Sequence, residues 1–181
     1  GQGLRRARHS VGGVARTGAV AMALLSGLSA HAPLARAASP VSIAVLGDSL
    51  TAGFGLPQAE AFPARLEAAL QAKGRKVKVI NAGVSGDTSA GGLSRLDWTL
   101  SDKPDMVIVE LGANDALRGI DPASTEANLD AILARLKTSG ARILLTGMLA
   151  PPNYGRDYDE AFKAIFPRLA DKYGVPLYPF F

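Results

Sequence analysis

Residues Val41-Ser42-Ile43-Ala44-Val45-Leu46 form a short apolar run rich in β-branched side chains, ended abruptly by Gly47-Asp48-Ser49. Such a run predicts a buried strand of a parallel sheet. Gly53, Gly55 and Pro57 keep the next segment irregular. Phe62, Leu66, Ala69 and Leu70 then recur at helical spacing, predicting a helix over 61–73 that Gly74 stops. Val77 to Ile80 reads as a second strand. Leu93, Leu96 and Leu100 predict a helix over 88–100, with Asp87 as its N-cap. Met106 to Val109 is almost wholly apolar and predicts a third strand.

Asp121-Pro122 is a cap followed by a first-turn proline. The helix it opens carries Leu129, Ile132, Leu133 and Leu136 on one face and ends at Gly140. Ile143 to Thr146 predicts a fourth strand, 151–155 a loop, and Phe162, Ile165, Phe166 and Leu169 a further helix. Val175 to Phe180 predicts a fifth strand whose two prolines suit a sheet edge. Alternation of this kind implies an α/β fold: a three-layer α/β/α sandwich around a parallel sheet with right-handed crossovers.

Residues 1–37 follow a different pattern. Arg5, Arg6, Arg8 and Arg16 precede an apolar run over 17–30, and small residues follow at Ala35-Arg36-Ala37. This order predicts an export signal peptide cleaved near Ala37, and hence a periplasmic or secreted location. An uncleaved anchor is the alternative, but the run is short for a membrane span and Gly27 and Pro33 interrupt its far end. The membrane is then met only in transit. Arg5-Arg6 alone does not choose an export route.

The leader also explains the charge. The chain has a net charge of +4, yet removing the five arginines of 1–37 leaves 15 basic residues against 16 acidic ones. No basic surface for nucleic acid remains. There is no cysteine, hence no disulfide and no lipid-attachment site. Without internal repeat or linker, 38–181 is expected to form one domain.

Three polar clusters follow the first three strands: Gly47-Asp48-Ser49, then 81–87 (Asn-Ala-Gly-Val-Ser-Gly-Asp), then Gly112-Ala113-Asn114-Asp115. Parallel strands bring such ends together, where ligands of open α/β sheets bind. A serine attacking a carbonyl needs a base and donors for the oxyanion. Gly83 could offer an unobstructed N–H and Asn114 a neutral amide. Taken singly, each is a weak signal: glycines after strands are usually turns, and Asn or Asp before a helix usually caps it.

Together these blocks resemble the GDSL, or SGNH, hydrolase family, closest to its small exported bacterial thioesterase, lysophospholipase and arylesterase branch. The resemblance runs from about Val41 to Phe181, with 110–119 and 152–155 adding to it. It implies a flavodoxin-like sheet of order 2-1-3-4-5. It implies Ser49 as nucleophile, with an oxyanion hole of the Ser49 and Gly83 N–H groups and the Asn114 side chain. The substrate would be a small acyl ester or thioester, cleaved by a monomer with no metal or cofactor. Asp48, Leu149, Pro152, Asn153 and Tyr154 are candidate substrate contacts. The G-x-S-x-G elbow of α/β-hydrolases is absent, since Thr51 stands at its second glycine.

The family's last block, Asp-x-x-His, supplies the base and the residue orienting it. The only histidines are His9 and His31, both in the leader. The resemblance thus leads us to expect a catalytic block beyond Phe181, and an inactive fragment if the chain stops there. The competing reading is a non-catalytic flavodoxin-like module holding a small anion on its glycine-rich loops. Neither a Walker A nor a G-x-G-x-x-G pattern follows the first strand.

Overall fold

The computed structural model describes residues 39–181. The expected signal peptide, its cleavage site near Ala37, His9 and His31 lie outside the described residues. Strands Val41–Gly47 (β1), Val77–Gly83 (β2), Met106–Glu110 (β3), Arg142–Thr146 (β4) and Leu177–Tyr178 (β5) form one five-stranded parallel sheet. Its order is β2-β1-β3-β4-β5. The apolar run at 41–46 is therefore an interior strand, as its composition demands.

Side-chain alternation sorts each strand between two cores. Ala44 and Leu46 of β1, Val107 and Val109 of β3, and Ile143 and Leu145 of β4 enter the larger core. Ile43, Val45 and Ile108 face the opposite side of the sheet. After β1 the chain makes the one-turn helix Ser49–Ala52 (α1) and then Phe62–Ala72 (α2). Phe62, Leu66 and Leu70 of α2 cover the smaller core. Ser89–Ser94 (α3), Leu96–Ser101 (α4), Ala113–Leu117 (α5), Pro122–Ser139 (α6), Arg156–Lys163 (α7) and Ile165–Tyr173 (α8) complete the elements. The larger core takes Leu96 from α4, four residues from α6, Phe162 from α7, and Ile165, Phe166 and Leu169 from α8. The helices of α6 and α8 are pinned at the surface by Arg168–Glu126 and Lys172–Asp130 ion pairs of 2.7 and 2.5 Å.

Several local expectations are corrected. The helix expected over 88–100 is two, broken at Arg95, which caps the end of α3 and the start of α4. Gly91 and Gly92 weaken that first turn, and the Arg95 side chain is drawn away from the helix surface into the sheet's end. Thr88, in extended conformation, is the N-cap, its hydroxyl accepting from the Gly91 N–H. Asp87 instead receives Arg95 Nε at 2.6 Å. The helix carrying Phe162 and Leu169 likewise divides at Ala164. Ala69 is exposed rather than on the covered face of α2. Strand β5 shrinks to Leu177–Tyr178 between Pro176 and Pro179, since neither proline can donate to a ladder. Strand β2 runs three residues longer than expected, so Asn81, Ala82 and Gly83 belong to it.

Candidate active site

The register places the three clusters side by side. Gly47, the last residue of β1, is level with Gly83 of β2 and with Glu110 of β3. Ser49 stands two residues beyond, half-buried, as the first residue of α1. Helix α1 begins there because Asp48 leaves the strand conformation and caps it, Oδ1 accepting from the Leu50 N–H at 2.9 Å. Among the described residues no group accepts from the Ser49 N–H or bonds its hydroxyl.

Asp48 is fully buried. Its Oδ2 accepts from Asn114 Nδ2 at 3.1 Å, which draws the amide at the start of α5 to the residue preceding Ser49. This corrects the expectation that Asp48 contacts substrate: both of its oxygens are occupied and none of its surface is open. Burial pushes its carboxyl above the ordinary range, against the Leu50 and Asn114 hydrogen bonds that favour the charged form.

The Gly83 N–H has a partner other than the one expected. It donates to Oδ1 of Asn81 at 2.9 Å. Close packing accounts for a glycine there, since a Cβ would collide with the backbone of Ala52. Gly86 differs. The Asp87 N–H returns to the Val84 carbonyl at 3.1 Å, closing a turn whose third residue, Gly86, has φ 82°. A type II turn demands that left-handed value. Among the described residues nothing accepts from the Gly86 N–H, while its carbonyl receives Arg118 Nη2 at 2.7 Å.

Two ionisable residues outside the three polar clusters hold this crevice together. Arg95 donates to the Gly47 carbonyl at 2.8 Å and the Ala82 carbonyl at 2.6 Å, besides its pair with Asp87. It thereby bridges the carboxyl ends of β1 and β2, sharing the Gly47 carbonyl with the Val84 N–H, which donates to it at 3.0 Å. Glu110 is fully buried. Its Oε2 accepts from the Thr51 hydroxyl at 2.7 Å and the Asp48 N–H at 3.2 Å, whereas Oε1 has no partner among the described residues. Burial pushes this carboxyl up to about 7, with the Thr51 bond opposing and the Asp48 charge adding. A third buried acid, Asp115, accepts from the Ser89 N–H and hydroxyl at 2.8 and 2.5 Å and from Thr125 at 3.1 Å. It ties α3, α5 and α6 behind the Asn114 turn.

Stability should depend on the Glu110 proton. Below about pH 4.5 the group is protonated in the folded and the unfolded chain alike and favours neither. As pH rises towards 7 the unfolded chain ionises first, so the folded state loses ground. A carboxyl raised from 4.5 to about 7 corresponds to about 3 kcal/mol once both states are ionised. Urea midpoints at about pH 5 and pH 8 measure it. The wild type should lose more stability between them than Glu110→Gln, and equal losses would place the titrating group elsewhere.

Leu149 is exposed just past β4, and Pro152 and Asn153 are exposed in the 3-10 turn Pro152–Tyr154. The structure joins neither Pro152 nor Asn153 to Ser49. Tyr154 donates its hydroxyl to the Leu117 carbonyl at 3.0 Å and lays its ring against Gly119. It thereby fastens the loop after β4 to the end of α5.

A profile of the GDSL-like lipase/acylhydrolase family matches residues 45–181. The chain belongs to that family. Esterase TesA of Pseudomonas aeruginosa is 42% identical over 159 residues, covering 87% of this chain and 79% of that protein. Thioesterase 1/protease 1/lysophospholipase L1 of Escherichia coli K12 is 48% identical over 147 residues, covering 81% and 69%. The crystal structure of AlinE4, an SGNH-hydrolase family esterase, superposes with a TM-score of 0.77 at 50% identity, covering 80% and 78%. Membership carries the reaction class, hydrolysis of an ester or thioester bond, and the observed sheet is the one the family resemblance implied.

Proposed function

We propose that this hydrolase works through an acyl-enzyme on Ser49. The observation carrying the reading is the half-buried serine two residues past the end of β1, near an asparagine amide that its buried neighbour Asp48 holds in place. Ser49 Oγ gives up its proton to a base and bonds to the substrate's carbonyl carbon. The alcohol or thiol leaves with that proton, and water then releases the acid and regenerates the serine. The developing oxyanion takes the Ser49 N–H and the second Nδ2–H of Asn114, since Asp48 uses only one of the two. For a third donor the free N–H of Gly86 replaces that of Gly83, which Asn81 occupies. The base comes from an Asp-x-x-His block as in the family, because residues 38–181 contain no histidine.

Exposed Leu50, Val84, Leu117 and Leu149 stand on α1, after β2, on α5 and after β4, all at the carboxyl end of the sheet. That rim favours an acyl or aryl group over a sugar. Relatives named as an arylesterase of Vibrio mimicus and a thioesterase of Escherichia coli support both kinds of leaving group. A fluorophosphonate ester tests the nucleophile: in the full-length enzyme it should add one equivalent, removed by Ser49→Ala. Labelling that survives the substitution would overturn the assignment.

Residues 1–37 are read as an export signal. The exported product should begin near Ala38 on N-terminal sequencing, and a product beginning upstream of Arg16 would contradict this.

A further inference from the structure

We propose that Glu110 is a positioning residue for Ser49, clamping the turn that carries the nucleophile to the end of β3. The proposal rests on the reading of Ser49 as nucleophile. One carboxylate oxygen, Oε2, accepts from the residue before Ser49, through the Asp48 N–H at 3.2 Å. The same oxygen accepts from the residue two after it, through the Thr51 hydroxyl at 2.7 Å. The serine is thus bracketed by two bonds to one atom. Glu110 also lies four residues before Asn114, at the end of the strand leading to α5. A single side chain therefore sets the spacing between the nucleophile's turn and the amide donor. Neither end can then drift without breaking a buried hydrogen bond.

The surroundings are shaped to admit the clamp. A Cβ on Gly47 would lie 2.5 Å from Oε2 and would collide with the Thr51 hydroxyl. Only glycine leaves room at the end of β1 for the carboxyl to reach both donors. Stability alone does not account for the group. A buried acid with an unpartnered Oε1 costs free energy that an apolar side chain of similar volume avoids. The carboxyl of about 7 is the mark of that cost. Glu110 is not itself a proton carrier for the reaction, because it is fully buried and, among the described residues, bonds only to Asp48 and Thr51.

The test is steady-state hydrolysis of a p-nitrophenyl ester by the full-length enzyme and its Glu110→Gln, Glu110→Leu and Thr51→Val variants. Gln retains an acceptor oxygen for both donors, so its kcat should stay within about 3-fold of wild type. Leu should lower kcat by about 10–100-fold with KM within about 2-fold, the signature of a misplaced nucleophile rather than weaker binding. Thr51→Val keeps the shape without the hydroxyl and should lower kcat by about 3–10-fold. Adding it to Glu110→Leu should cost nothing further, since both remove one clamp. A folded Leu variant with wild-type kcat would overturn the proposal, as would a Gln variant that falls as far as Leu. If Leu does not fold, Thr51→Val decides, and an unchanged kcat there overturns the proposal. Ser49→Ala run alongside separates the two readings: turnover that survives it removes the nucleophile itself, whatever the Glu110 variants do.

Discussion

Residues 38–181, assayed alone, are expected to turn over a p-nitrophenyl ester on the order of 10⁶-fold more slowly than the same residues joined to an Asp-x-x-His block. Ser49 keeps its N–H and the Asn114 amide in either case, so binding and oxyanion stabilisation persist. What the segment lacks is a group to take the serine's proton near neutral pH. Its buried acids do not substitute, because Asp48 bonds to Leu50 and Asn114 while Glu110 bonds to Asp48 and Thr51. In subtilisin, loss of the histidine alone costs about as much as loss of the whole triad, which sets the expected scale. Side-by-side kcat measurements check it. Equal turnover that disappears on Ser49→Ala would mean that another residue of 38–181 serves as base.

Asn114→Ala in the full-length enzyme should lower kcat by roughly 10²–10³-fold, about 3–4 kcal/mol, with KM little changed. The side chain's single partner among the described residues is Oδ2 of Asp48 at 3.1 Å, which uses one of its two amide hydrogens. The other is free for charge that appears only in the transition state. Alanine also leaves the fully buried Asp48 with one donor fewer, raising its carboxyl further and costing some stability. A melting curve for the variant separates that effect from the loss in kcat. A change confined to KM would make Asn114 a ground-state contact instead. The two glycines considered for a further donor differ in the structure. Gly86 is the one whose N–H is free, whereas that of Gly83 is bonded to Asn81.

Sheet, strand order and crevice were legible because each is written in short-range pattern or in family blocks. The run at 41–46 is apolar and β-branched because it is buried on both faces, and Asp121-Pro122 marks the start of α6 by its local cap chemistry. What escaped the pattern are bonds between residues far apart in the chain. Glu110 meets Asp48 across 62 positions, and Arg95 reaches the Gly47 carbonyl across 48. A signal was present in both: a glutamate closing the apolar run Met106–Val109, and an arginine between Leu93 and Leu96, off the face that Leu93, Leu96 and Leu100 share. Periodicity ignores such an intruder, and so it joined α3 and α4 into one helix. The choice between Gly83 and Gly86 was hidden for a related reason. Both follow the strand expected at 77–80, and the turn at Gly86 and the Asn81 bond at Gly83 tell them apart.

The central claim is covalent chemistry at Ser49, and rapid-quench mass spectrometry of the full-length enzyme with a slow ester substrate tests it most directly. The account predicts a transient mass increase equal to the acyl group, located on the peptide containing Ser49 and absent from Ser49→Ala. Turnover at the same rate with no acylated peptide at any quench time, or with the acyl group on another residue, would contradict it.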